Sequence, residues 1–153
     1  MIETLPSVVG RSTKRNVASD DLLYLSFADA ERLMVQHRFI TNQNQAACLA
    51  DLEKRIAAAV LLDPSQITGD LVTMNSRVLL LDLDTECRIA YTLAFPACAN
   101  ARKGELSILG SMGTALLGAR VGQVIRYESS AGPRRALVKE ILYQPEAAGG
   151  YYG

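Results

Sequence analysis

Leu71-Val72-Thr73-Met74, Arg77-Val78-Leu79-Leu80-Leu81-Asp82-Leu83 and Arg88-Ile89-Ala90-Tyr91-Thr92-Leu93-Ala94-Phe95 decide how this chain is read. These runs are rich in long and β-branched apolar residues and are broken by short polar stretches, the pattern of strands and turns. Downstream, Pro96 and the Ala99–Gly104 stretch read as a loop, and Glu105–Leu109 as a short strand. Ser111–Leu117 reads as a two-turn helix with Ser111 as its cap and Gly118 as its terminator. Gly122 turns the chain into a last pair of strands, Val124–Glu128 and Ala136–Tyr143, joined around Ala131-Gly132-Pro133.

Upstream of Gly69 the period is helical. A first helix is expected to start near Ser26, with Asp29 completing a weak capping box and Leu25 as a hydrophobic staple. Ala30, Leu33, Met34 and His37 follow at helical spacing. After the polar turn Thr41-Asn42-Gln43-Asn44, a second helix takes Asn42 or Asn44 as its cap. Its apolar stripe is Leu49, Leu52, Ile56, Ala59 and Val60, its polar face Asp51, Lys54 and Arg55, and its stop Asp63-Pro64. Two such helices joined by a short turn form an antiparallel hairpin. The expected fold class is therefore α+β. Residues 1–22 form a loose arm, 23–66 the hairpin, 70–146 an antiparallel sheet domain with one short helix, and 147–153 a mobile tail.

Composition narrows the function classes. The chain has 153 residues, 16 Lys+Arg, 16 Asp+Glu, a net charge of zero and 49% apolar residues. That excludes wholesale disorder, which needs low hydrophobicity and high net charge. It also argues against a protein built to wrap nucleic acid, which needs a basic surplus. The apolar run Ala57–Leu62 is far shorter than the ~20 residues of a spanning helix, so no membrane segment is expected. Cys48, Cys87 and Cys98 are odd in number and lack CxxC spacing, which points to a reduced, cytoplasmic protein.

Residue chemistry suggests no enzyme. The single histidine, His37, falls on the apolar side of its helix and has no nucleophile beside it in the sequence. Asp82, Asp84 and Glu86 alternate and are read as a solvent-facing strand edge rather than a cation site. Gly110, Gly113, Gly118 and Gly122 lack both the P-loop ending and the dinucleotide fingerprint. No catalytic residue, metal ligand or cofactor is assigned.

Gly104-Glu105-Leu106-Ser107-Ile108-Leu109-Gly110-Ser111, followed by Ala115-Leu116-Leu117-Gly118-Ala119-Arg120-Val121-Gly122-Gln123-Val124, resembles the C-terminal domain of the Gre-type transcript cleavage factors. Val72-Thr73-Met74-Asn75-Ser76-Arg77-Val78 and Tyr143-Gln144-Pro145-Glu146-Ala147-Ala148-Gly149 resemble the short members of that family, the regulators of nucleoside diphosphate kinase. Phe27–Leu33 resembles the opening of their hairpin.

The resemblance implies an FKBP-like C-terminal domain, an N-terminal coiled coil, and binding at the secondary channel of bacterial RNA polymerase, with at most indirect contact to nucleic acid. It places Ser111, Met112, Gly113 and Thr114 where the family faces the polymerase. Met112 stands where the longer factors commonly carry proline. The hairpin tip, Phe39, Ile40, Thr41, Asn42 and Gln43, is expected to expose Phe39 and Ile40 as a docking surface.

Gre factors hold a second metal ion with acidic residues at that tip, because a hard cation selects carboxylate oxygens. Residues 38–45 contain no Asp or Glu. The first carboxylate beyond them is Asp51, ~10 Å down the helix, and arms of about twenty residues reach under ~30 Å. Binding without cleavage is the reading that follows. Prolyl isomerisation needs an aromatic-lined pocket, and the chain has no Trp and three Phe, at 27, 39 and 95. The other reading, implied by the short members, is regulation of nucleoside diphosphate kinase level or activity through a protein partner.

Overall fold

The computed structural model describes residues 22–36 and 40–148. The expected arm over 1–21, the end of the tail from 149, and His37, Arg38 and Phe39 lie outside the described residues.

In chain order the elements are β1 (Tyr24–Ser26), α1 (Phe27–Leu33), α2 (Gln43–Ala57), β2 (Val60–Leu62), β3 (Arg77–Asp82), β4 (Arg88–Ala94), β5 (Glu105–Ser107), α3 (Ser111–Leu116), β6 (Val124–Ser129) and β7 (Gly132–Tyr143). The α+β class holds. Two of the expected caps form. Ser26 Oγ accepts from the Asp29 N–H at 3.2 Å, and Asn42 Oδ1 from the Gln45 N–H at 2.8 Å.

The helical unit differs from the expected hairpin. α1 closes after Leu33, and Met34 is half exposed rather than part of the stripe. A heptad seam needs several turns on both arms, and α1 has seven residues. Val60, expected to continue the second helix, lies in β2. β2 runs parallel to β1, with Tyr24, Leu25 and Ser26 opposite Val60, Leu61 and Leu62. The β-branched Val60 and its apolar neighbours suit this clasp better than a further helical turn. Ala30 and Leu33 of α1 and Leu49 and Leu52 of α2 are buried in the same cluster as Val78, Leu93, Leu109 and Val138 of the sheet domain.

The larger sheet has the order β5-β4-β3-β7-β6. Its neighbours are antiparallel except β4 and β5, which run parallel. The expectation of a wholly antiparallel sheet is corrected here. Residues 95–104 carry the chain back along the sheet, the kind of crossover that parallel strands need. Asp82 is also corrected, because it ends the central strand β3 rather than lying on an edge. It accepts from the Asp84 and Thr85 N–H groups, closing the β3–β4 turn, and pairs with Arg134 at 3.1 Å. Pro133 costs no ladder bond. Its partner Glu128 sends its own N–H away from β7, to Ser111.

The two stretches that resemble the short Gre-type members meet in space over their described residues, 72–78 and 143–148. Leu71–Met74 is buried but is not a strand of either sheet. Gln144 closes over it. Its Nε2 donates to the carbonyls of Thr68 and Leu71, both at 2.7 Å, and its Oε1 accepts from the Ala147 N–H. Ala147 and Ala148, assigned to a mobile tail, therefore belong to a hydrogen-bonded turn. Asn75 adopts φ +68, the left-handed conformation that asparagine tolerates better than most residues. Ser76 Oγ accepts from the Thr73 N–H, so a side-chain-to-backbone bond holds the bend.

Gln144→Ala leaves the buried Leu71 carbonyl unpartnered and is expected to cost about 1–3 kcal/mol. Gln144→Glu, which offers no donor to either carbonyl when ionised, is expected to cost more. Urea unfolding of the two variants measures both. Equal stability of Gln144→Ala and the parent would show that the lock contributes nothing.

Candidate partner-binding surface

The surface centres on α3. Its N-terminal boundary is Gly110, not Ser111. Ser111 Oγ accepts from the Glu128 N–H at 2.9 Å. A serine at a helix start normally turns its oxygen onto its own first turn. Here it satisfies the exposed edge of β6 instead, which blunts that edge against strand addition.

The four residues expected to face a partner divide by burial. Gly113 and Thr114 are buried. A Cβ on Gly113 would overlap the Ser107 carbonyl oxygen, so glycine is required there by close backbone approach. Thr114 Oγ1 lies 2.8 Å from the Ile108 carbonyl and 2.9 Å from the Gly110 carbonyl, fixing α3 on the preceding loop. Ser111 and Met112 are half exposed. Met112 also packs on the core.

Two side chains that the sequence reading did not select complete the surface. Arg55 of α2 donates to the carbonyls of Thr114 and Leu117 at 2.8 and 3.0 Å. It bonds the C-terminal end of α3, where the helix dipole favours a cation. Arg126 of β6 is exposed and stands directly opposite Arg135 of β7. Like charges in that register repel. Asp84 relieves Arg135 at 3.7 Å, and Arg126 remains available to an acidic group. One cavity of about 450 Å³, between Ser111, Tyr127 and Arg134, and one of about 300 Å³, between Cys48, Asp51 and Thr114, both include Ser111 and Arg126 in their walls. The alternation Val124-Ile125-Arg126-Tyr127-Glu128 was the sequence signal for Arg126.

Charge around the first cavity is locally balanced. The Thr85 and Asp84 N–H groups, with Arg134, hold the Asp82 carboxyl below the usual carboxylate range. Burial, with Asp82 second, pushes the Tyr127 hydroxyl up.

The expected tip divides as well. Ile40 is half-buried and packs on the core, so it is not the exposed docking residue the sequence suggested. Thr41, Asn42 and Gln43 are exposed. Gln45 Oε1 accepts from the Thr41 N–H at 2.7 Å, while Asn42 Oδ1 caps α2, so both amide oxygens are committed to local structure. Among the described residues, no group of three or more His, Cys, Asp or Glu could hold a metal ion, and no helix is long and apolar enough to cross a membrane.

Residues 67–143 match the family model "Transcription elongation factor, GreA/GreB, C-term". Over 102 residues the chain is 42% identical to the regulator of nucleoside diphosphate kinase of Escherichia coli K12, spanning 65% of this chain and 74% of that protein. Over 97 residues it is 36% identical to the transcription elongation factor GreA of Novosphingobium aromaticivorans, spanning 63% and 61%. A solved GreA/GreB elongation factor from Nitrosomonas europaea superposes with a TM-score of 0.68 at 32% identity, over 79% of this chain and 99% of that one.

Arg55→Ala is expected to lower stability by about 1–3 kcal/mol, because two carbonyls of α3 lose their donor. Arg55→Lys should recover only part of that, since an ammonium lacks the planar fork. Thermal unfolding checks both. A lysine variant equal to the parent would contradict the two-carbonyl account.

Proposed function

We propose, since the chain belongs to the GreA/GreB family of transcription elongation factors, that it is a non-enzymatic regulator that binds RNA polymerase. In this reading it docks at the secondary channel in the cytoplasm and competes there with Gre-type factors. Residues 70–146 serve as the FKBP-like docking domain, and 23–66 as a short probe. The docking face is Ser111 and Met112, flanked by Arg126. Gly113 and Thr114 hold that face in shape.

The observation that carries the reading is the donor set of the probe. Residues 37–45 hold no carboxylate, and the Asn42 and Gln45 oxygens are occupied by backbone N–H groups. Amides carry no charge to retain a divalent ion. α2 is 15 residues long, about 22 Å, and α1 is shorter. Such a probe occupies a channel without bringing catalytic oxygens into it.

The name of the Escherichia coli relative supports a second reading, regulation of nucleoside diphosphate kinase. Measuring kinase transcript beside kinase activity separates an effect on transcription from a direct one.

The main test is retention on core polymerase, competed by a cleavage-competent Gre factor. Retention at micromolar concentration, about tenfold weaker binding by Arg126→Glu, and no shortening of RNA in stalled complexes are expected. Absence of retention removes the proposal, and Mg²⁺-dependent RNA shortening overturns the reading of the probe.

A further inference from the structure

The function proposed above leaves one group on α1 unexplained. Asp29 is 6% exposed. The Met74 backbone lies close enough to favour its ionised form. Its Oδ2 is buried with no hydrogen-bond partner. We propose that Asp29 makes the seating of α1 on the sheet domain proton-sensitive: a neutral carboxyl holds the helix against the 71–76 segment and the C-terminal turn, and an ionised one loosens it.

The hydroxyl protons of the 71–76 segment are already allocated. Thr73 Oγ1 donates to Glu146 Oε1 at 2.7 Å. Its single proton thus spent, the 2.9 Å contact with Ser76 Oγ takes its proton from Ser76. Both hydroxyls of the segment are used, and neither is left for Asp29 Oδ2. The charged groups acting on Asp29 are Glu146, from the C-terminal turn, and Arg32, one turn along α1. Residues 71–76 contribute no charge. Arg32 attracts the ionised form, with its guanidinium lying over the Phe95 ring at 5.9 Å. Glu146 repels it. A neutral carboxyl in this place forfeits one hydrogen bond, whereas an ionised one forfeits the hydration of a full charge.

The titration agrees in sign. Burial first and Glu146 second raise the Asp29 carboxyl from 3.8 to about 6, against the pull of Arg32 and the Met74 backbone. A carboxyl raised in the seated state stabilises that state fully below about pH 4. The contribution is lost as pH rises through about 6. From pH 5 to pH 8 the seating equilibrium should therefore weaken about tenfold.

Amide exchange on the full chain, corrected for its intrinsic pH dependence, tests this. Between pH 5 and pH 8, the Leu33 amide should lose about tenfold of its protection relative to the Val138 amide. In Asp29→Asn the ratio should stay flat. In Glu146→Gln the loss should persist with its midpoint moved to lower pH. Parallel behaviour of Leu33 and Val138 in the parent overturns the proposal, as does unchanged pH dependence in Asp29→Asn. Should Asp29→Asn fail to fold, an unmoved midpoint in Glu146→Gln overturns it instead.

Discussion

The constraint on which this structure depends is a buried stretch of irregular backbone. Leu71, Val72, Thr73, Met74 and Ser76 are each 1% exposed or less, and the stretch precedes the first strand of the main sheet. A buried peptide group without a partner costs as much as a lost hydrogen bond. Every distant part of the fold supplies partners here. Val72 donates to the Ala119 carbonyl and accepts from the Gly118 N–H. Asn75 donates to the Leu93 carbonyl. Gln144 covers the Leu71 carbonyl.

Apolar burial ties the helical unit to the sheet. α1 is too short to hold a stripe of its own against α2, and helices of this length gain their stability from tertiary contact. Ala30, Leu33, Leu49 and Leu52 accordingly join the core of the sheet domain. The cost of seating α1 is a carboxyl kept away from water. The helical unit is thus positioned by the sheet domain rather than by a long coiled coil.

α3 plays the matching role on the other side. Arg55 grips its last carbonyls from α2, and Ser111 occupies the open edge of β6. The same few residues close the sheet edge and form the walls of two cavities beside Arg126. The face proposed for binding, half-buried Ser111 and Met112, is thus held by buried Gly113 and Thr114, whose work is internal.

Local chemistry was legible in the sequence: the Ser26 and Asn42 caps, the glycine turns at Gly118 and Gly122 with φ of +83 and +94, the run of strands after Gly69, and the lack of carboxylates at the tip. Each depends on a few neighbouring residues, so a linear reading reaches it. The parallel pairing of β4 with β5, the β1–β2 clasp, the packing of Ile40 on the core, the burial of Gly113 and Thr114, and the union of residues 71–76 with 144–147 depend on partners in other segments of the chain. No spacing within a segment records which distant carbonyl an amide will find. By itself the sequence determined where elements start, stop and lack charge. Only the tertiary structure decided which polar groups are buried together, because that is settled by the competition among remote segments to satisfy one another's backbone.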